Sequence, residues 1–239
     1  MANRTERPLS QMPQTCSLPT PSKVVDPQSD RISNSEQVPY QLQPQSGLVA
    51  PVGGLPEDGV VAQQIVTVFN GCFAGEDGLN TRLKGGFSEP YYRPAEQGGA
   101  SFHQVEFTRD YPASALHEVA HWCVAGSERR QLPDYGYWYA PDGRSAEQQS
   151  LFEQVEIKPQ ALEWIFARAC GLPFRVSADN LDAGLGPSVS FKRNIWLQVQ
   201  RYCDQGVNMR VAQFAQALAS AFGQANPLRA DLYRLEALG

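Results

Sequence analysis

The sequence predicts an α+β domain with more helix than strand, and three observations lead to this fold class. Several segments carry apolar residues at three- and four-residue spacing, which is typical of amphipathic helices. Residues 101–108 instead alternate apolar and polar side chains, as a half-buried strand does. Residues 76–100 are rich in Gly and Pro, which favours loop or short irregular strands.

The first 56 residues differ in composition from the rest of the 239-residue chain. They contain nine of the 18 prolines, one aromatic residue (Tyr40) and no tryptophan. Such a segment buries too little apolar surface to offset the chain entropy that is lost on folding. We therefore predict a disordered, Pro-rich tail at residues 1–56 and a single folded domain at residues 57–239.

The domain is predicted to begin with a helix and to continue with a strand. The segment 60–73 has helical periodicity, with five apolar residues on one face: Val61, Ile65, Val68, Phe69 and Cys72. In the strand 101–108, alternation brings His103, Val105 and Phe107 to one face. We therefore expect His103 to be a core or half-buried imidazole.

Most of the predicted helix lies in the second half of the chain. One helix follows Pro112 and stops at Gly126, a residue type that is common just past a helix end. Residues 131–143 are aromatic and close in a Pro-Asp-Gly turn, which predicts a strand or extended loop. Residues 145–170 form the next helix, with Pro159 as its start or as a kink. Two more helices follow at 189–206 and 211–223, and a short one lies near 228–237.

Charge and composition exclude several classes of protein. Four acidic and four basic side chains lie in the tail, so the 25 acidic and 20 basic residues of the chain leave 21 and 16 in the domain. This acidity argues against a stable nucleic-acid partner. No apolar run could span a membrane, and no secretory signal is visible, so we expect a cytoplasmic protein without membrane contact. The five scattered cysteines argue against a disulfide framework or a cysteine-rich zinc site.

The most informative motif is His117-Glu118-Val119-Ala120-His121. Side chains four positions apart on a helix share a face, so the two imidazoles project toward one point. Glu118 lies about 100° around the helix from His117, and its side chain can reach the periphery of the site where the imidazoles meet. The chain contains only three histidines, and two of them have this spacing. The motif therefore predicts a metal-binding helix.

A third metal ligand is expected, because two imidazoles alone hold a divalent ion weakly and a carboxylate is the best candidate to join them. The segment FEQVEIKP supplies Glu153 and Glu156 on one face of the next predicted helix. We favour Glu156. Glu153 would then support the site from outside or face solvent, and Glu163 is expected at the surface.

A site of two histidines and one carboxylate allows different chemistries. With Fe(II), three protein ligands leave positions for dioxygen and a co-substrate, as in non-haem oxygenases. With Zn²⁺, the open position holds water, and Glu118 becomes the general base of a hydrolase, either a peptidase or a nuclease. Spacing alone favours the zinc hydrolase. In a third alternative the metal is structural, and a fourth ligand such as His103 or Cys123 closes the site.

Three stretches around the motif also carry a resemblance to a known family. They are SALHEVAHWCVAGSERRQLPDYGYWYAPDGRSAEQQSLFEQVEIKPQALEWIF, FNGCFAGEDGLNTRLKGGFSEPYY upstream and PFRVSADNL downstream. These stretches resemble the elongation factor P hydroxylase family of bacteria. The resemblance implies an α+β fold and hydroxylation of a lysine of elongation factor P that β-lysyl transfer has already extended. It also implies a metal centre of His117, His121 and Glu156, with Glu118 beside them.

The resemblance changes the expected metal, because hydroxylation needs a redox-active ion to activate dioxygen and Zn²⁺ is not redox-active. We therefore expect Fe(II), while the use of 2-oxoglutarate stays open. Four cations are candidates for gripping such a co-substrate and equally for ordinary surface charge: Arg129, Arg130, Arg144 and Lys158. Four aromatic residues are candidates for lining a channel for the lysine arm, or for the core: Tyr135, Tyr137, Trp138 and Tyr139.

Overall fold

The computed structural model describes residues 58–75, 79–95, 100–136, 144–178 and 186–238. The tail predicted at residues 1–56 lies outside these residues. The described helices and strands are, in chain order, α1 (Asp58–Phe73), β1 (Thr81–Phe87), β2 (Tyr91–Arg93), β3 (His103–Thr108), α2 (Pro112–Val124), α3 (Ala146–Cys170), α4 (Val189–Gln205) and α5 (Met209–Ala221). The α+β class with more helix than strand is confirmed.

The three strands form one small sheet in the order β1-β3-β2. Strand β1 runs parallel to β3, whereas β2 runs antiparallel to it. Strands β1 and β2 lie in the Gly- and Pro-rich segment, so the short-strand alternative was the right one there. Both outer edges have side-chain partners: the Asn70 amide pairs with the backbone N–H and carbonyl of Leu83, and Asp134 accepts a hydrogen bond from Tyr92 N. These contacts occupy backbone groups that an edge strand otherwise leaves open.

The helices agree with the predicted segments but differ at their ends. Helix α2 begins at Pro112, where the missing N–H costs nothing, and it ends at Val124, before Gly126. Helix α3 begins with a capping box of Ser145 and Gln148 and runs through Pro159, which is therefore not its start. No helix in the described ranges has the length and apolarity that a membrane span requires.

The sequence predicts a strand or extended loop at residues 131–143, but the described part of this segment lies in two 3-10 turns, Arg129–Gln131 and Pro133–Gly136. Asp134 and Tyr135 both have left-handed backbone angles, with φ of 45° and 59°. This conformation cannot continue a strand. It turns the ring of Tyr135 into the core, where the ring stacks on Tyr92 at a centroid distance of 4.2 Å. The rest of the predicted strand, 137–143, lies outside the described residues.

The short helix predicted near 228–237 is replaced by two 3-10 turns, Ala230–Leu232 and Leu235–Leu238. Between them, the buried Tyr233 donates a hydrogen bond from its hydroxyl to the carbonyl of Pro227. The Trp196 indole N–H in turn donates to the carbonyl of Tyr233. These contacts pin the end of the described chain to α4.

An aromatic cluster joins four helices in the core. The ring of Phe69 on α1 meets the edges of Trp122 on α2 and Phe214 on α5, at centroid distances of 5.2 and 5.6 Å. Phe166 on α3 packs on Phe214 at 5.0 Å. All four rings are fully buried. Helix α2 is thereby held between α1, α5 and α3, and its histidine-bearing side faces α3.

Candidate metal centre

Helices α2 and α3 bring together the three residues that the sequence analysis favoured as metal ligands. The Nε2 atoms of His117 and His121 lie 3.0 Å apart. Oε1 of Glu156 lies 3.2 Å from Nε2 of His121, and Oε2 lies 3.6 Å from Nε2 of His117. One ligand atom from each of the three residues falls within 4.8 Å of the others.

The spacing of these atoms fits a divalent metal ion. Two ligands about 2.1 Å from a metal, at angles between octahedral and tetrahedral, lie roughly 3.0–3.4 Å apart. The separations of 3.0 Å between the two Nε2 atoms and 3.2 Å to Oε1 of Glu156 lie in this range, and the 3.6 Å to Oε2 lies just above it. The donor set of two imidazoles and one carboxylate suits Zn²⁺ and Fe(II) alike.

The carboxyl end of α2 is anchored by hydrogen bonds to its last carbonyls. Arg210 donates to the carbonyls of Cys123 and Ala125, and Asn208 also donates to Cys123. Arg130 donates a further bond to Ala125. These groups satisfy acceptors that a helix end leaves free, and the two cations complement its dipole. They hold the helix that carries the histidine pair.

Glu156 is a buried carboxylate with a side chain that is only 2% exposed. Burial by itself raises its pKa, but His121, His117 and a hydrogen bond from Gln160 outweigh this and lower the pKa to about 2. The Gln160 amide is held in turn by both backbone groups of Ser177. The carboxylate is therefore ionised at neutral pH and fixed in place.

Glu118, the glutamate of the motif, lies near the three converging residues but does not join them. Burial raises its pKa, and the charges of His117 and His121 act in the opposite direction. Among the described residues, no side chain or backbone group forms a hydrogen bond with its carboxylate. This leaves the group available to accept a proton or to meet a cation.

Glu163 is the functional candidate that the sequence analysis missed. We expected it at the surface, and this is wrong: its side chain is 12% exposed and its Oε2 lies 2.8 Å from Nδ1 of His117. Burial would lower the pKa of His117, but Glu163, with Glu156 and Glu118, holds it well above its usual value. The signal in the sequence was the seven-residue spacing from Glu156, which is two helical turns on nearly one face.

Glu153, offered as a supporting or solvent-facing residue, instead binds the start of α4. Its carboxylate accepts hydrogen bonds from the backbone N–H and the hydroxyl of Ser188, at 3.1 and 2.7 Å. Ser188 is the N-cap of α4 and accepts a bond from Phe191 N. Glu153 therefore joins α3 to α4 and takes no part in the histidine contacts.

The two residues considered as a fourth ligand lie elsewhere. His103 has its Nδ1 2.9 Å from the hydroxyl of Tyr92 and 3.1 Å from the N–H of Ala95, which confirms the half-buried imidazole. Cys123 is fully buried in the hydrophobic core. Within the described ranges, the cluster that could hold a metal ion has three residues, whereas a structural zinc site has four.

The remaining candidates concern the substrate and a co-substrate. Tyr135 is 4% exposed and belongs to the core, and its substrate-binding role stays a prediction. The other three aromatic candidates, Tyr137, Trp138 and Tyr139, lie outside the described residues. Three of the cations donate to backbone carbonyls: Arg129 to Tyr135, Arg130 to Ala125, and Arg144 to Ala178.

Comparison with known proteins assigns the chain to a family. The model of the family described as Elongation factor P hydroxylase matches residues 68–233. A protein of Haemophilus influenzae named Elongation factor P lysine hydroxylase is 47% identical over 160 residues, which cover 67% of this chain and 88% of that protein. The matched range includes the two histidines and the three glutamates of α3 discussed above. Both matches are named as hydroxylases, so they do not favour the hydrolase alternative. This chain belongs to the elongation factor P hydroxylase family.

Proposed function

We propose that this protein hydroxylates a lysine side chain of elongation factor P, using Fe(II) held by His117, His121 and Glu156. The lysine is the one that β-lysyl transfer has already extended, so that hydroxylation is the last step of maturation. The observation that carries the proposal is the convergence of two Nε2 atoms and one carboxylate in a member of this family.

The choice of iron follows from the reaction. Hydroxylation of a C–H bond needs an ion that can activate dioxygen by changing its oxidation state, and Fe(II) bound by two histidines and a carboxylate supplies that chemistry. The protein contributes the ionised carboxylate of Glu156 and two imidazoles on one face of α2. Glu156 is buried, and His117 and His121 are half-buried, with 21% and 12% of their side chains exposed.

The lysine arm is cationic, and the surroundings of the site are acidic. Glu118 has a carboxylate without a hydrogen-bond partner among the described residues, beside the histidine pair. We propose that it accepts a proton or a hydrogen bond from an ammonium group of the arm. Burial raises the pKa of the neighbouring Tyr135, and the charge of Glu118 adds to this effect.

The activity is tested by mass spectrometry of elongation factor P from cells with and without the gene. The expected result is a gain of one oxygen atom on the extended lysine only when the gene is present. In cells without the gene, expression of the His121→Ala protein should not restore the hydroxylation. Expression of the Glu147→Ala protein, which is changed at the exposed start of α3, should restore it. Hydroxylation by the His121→Ala protein would contradict the site.

The metal is tested separately on protein purified without added ions. Reconstitution with Fe(II) under anaerobic conditions, followed by oxygen, substrate and a two-electron reductant such as 2-oxoglutarate or ascorbate, should give hydroxylated product. Zn²⁺-loaded protein should give none, because zinc cannot change its oxidation state. Peptide or RNA cleavage by the zinc form that depends on Glu118 would instead support a hydrolase.

A further inference from the structure

A buried contact links Glu163 of α3 to the histidine pair of α2. Oε2 of Glu163 lies 2.8 Å from Nδ1 of His117. Within the part of the chain that the structure describes, no lysine or arginine forms an ion pair with this carboxylate. A carboxylate with 12% exposure and one histidine as its partner is costly to bury, so the contact calls for a function.

The contact has a chemical consequence for His117. A neutral imidazole carries one proton, so that one ring nitrogen donates and the other accepts. A carboxylate accepts only, and facing Nδ1 it selects the form with the proton on Nδ1. The lone pair is then on Nε2, which is the atom that faces His121 and Glu156.

The other histidine lacks this support. Nε2 of His121 faces Glu156 at 3.2 Å, but no described side chain forms a hydrogen bond with its Nδ1. Helix α3 therefore contributes two carboxylates two turns apart. Glu156 faces the converging Nε2 atoms, and Glu163 contacts the opposite ring nitrogen, Nδ1, of His117.

We propose that Glu163 is a positioning residue that orients the ring of His117, keeps its proton on Nδ1 and thereby sets the affinity for the metal ion. The inference rests on the proposed function, because it requires His117 to bind a metal. Removing a carboxylate that supports a ligating histidine typically weakens metal binding by roughly 10- to 100-fold.

A purely structural role is the alternative, in which the contact only ties α3 to α2. Such a role would change the stability of the metal-free protein and leave the metal affinity as it is. Glu153 provides a matched control, because it lies on the same helix and is also hydrogen-bonded, but to Ser188 at the start of α4.

The experiment titrates Co²⁺ into the metal-free full-length chain, because the visible absorption of Co²⁺ reports the geometry of its ligands. Glu163→Ala should bind roughly 10- to 100-fold more weakly than wild type and show a shifted spectrum. Glu163→Gln keeps an oxygen acceptor and should recover part of the affinity. Glu153→Ala should keep the wild-type affinity and spectrum.

Wild-type affinity and spectrum in Glu163→Ala would overturn the inference. If this variant does not fold, Glu163→Leu decides in its place, because it keeps the volume and removes both oxygens. A wild-type protein that binds no Co²⁺ would overturn both the inference and the metal site. Tight binding that depends on Glu163, in a protein whose Fe(II) form does not hydroxylate elongation factor P, would support the inference and contradict the function alone.

Discussion

Oε1 of Glu156 lies 3.2 Å from Nε2 of His121, although the two residues belong to different helices. The carboxylate is 2% exposed, and the histidines keep its pKa near 2 against the effect of burial. A buried negative charge is therefore held at the point where two imidazole nitrogens meet. This arrangement leads to the predictions below.

Glu156→Ala should abolish tight metal binding and hydroxylation. The change removes one of three candidate ligands and the charge that faces both imidazoles, so we expect the bound metal to be lost on dialysis. Metal content and hydroxylated elongation factor P are the measurements. Glu147→Ala on the same helix is the control, since this glutamate is exposed and lies in the first turn. Full metal content in the Glu156→Ala protein would exclude Glu156 as a ligand.

Metal binding at neutral pH should release a proton from His117. Burial lowers the pKa of this imidazole, but Glu163, Glu156 and Glu118 together hold it well above the usual value, so the metal-free protein is protonated there. A metal needs the neutral ring. The affinity should therefore rise with pH, by about tenfold per unit for one proton, and level off above that raised pKa.

Calorimetry in two buffers of different protonation enthalpy measures this proton release. In Glu163→Ala the hydrogen bond that raises the pKa is absent, so fewer protons should be released at the same pH. Equal heats in the two buffers for the wild-type protein would show that no proton is displaced and that His117 is already neutral.

Glu153→Ala should destabilise the protein without affecting the metal. The change removes two hydrogen bonds to Ser188, which caps α4, and we expect a loss of about 1–2 kcal/mol in the free energy of unfolding. Urea denaturation of the metal-free protein measures it. A variant as stable as the wild type would mean that the cap holds α4 without Glu153.

Two stacked tyrosines should respond differently to loss of their hydroxyls. The Tyr92 hydroxyl donates to the carbonyl of Arg130 and lies 2.9 Å from Nδ1 of His103, so Tyr92→Phe should cost about 1–2 kcal/mol. The buried Tyr135 hydroxyl has no hydrogen-bond partner among the described residues, so Tyr135→Phe should leave stability unchanged or raise it. Thermal unfolding of both variants tests the contrast. Equal losses would show that the Tyr135 hydroxyl is bound in solution.

Much of the site could be predicted because its central feature is local. Two histidines four residues apart share a helical face whatever the rest of the chain does. Apolar periodicity likewise predicted α1, α2, α4 and α5, and alternation predicted β3. The segment holding β1 and β2 could not be predicted as clearly, because its Gly- and Pro-rich sequence has no strong period and its strands form by pairing with β3.

The sequence by itself determined that two imidazoles project from one helix and that a glutamate on the next helix could join them. Only the tertiary structure decided what three of the glutamates of α3 contact. Glu156 contacts Nε2 of both histidines, Glu163 contacts Nδ1 of His117, and Glu153 binds Ser188 instead. The reason is physical: spacing places side chains on a helix face, but their partners depend on how α3 packs against α2 and α4, and distant contacts set that packing.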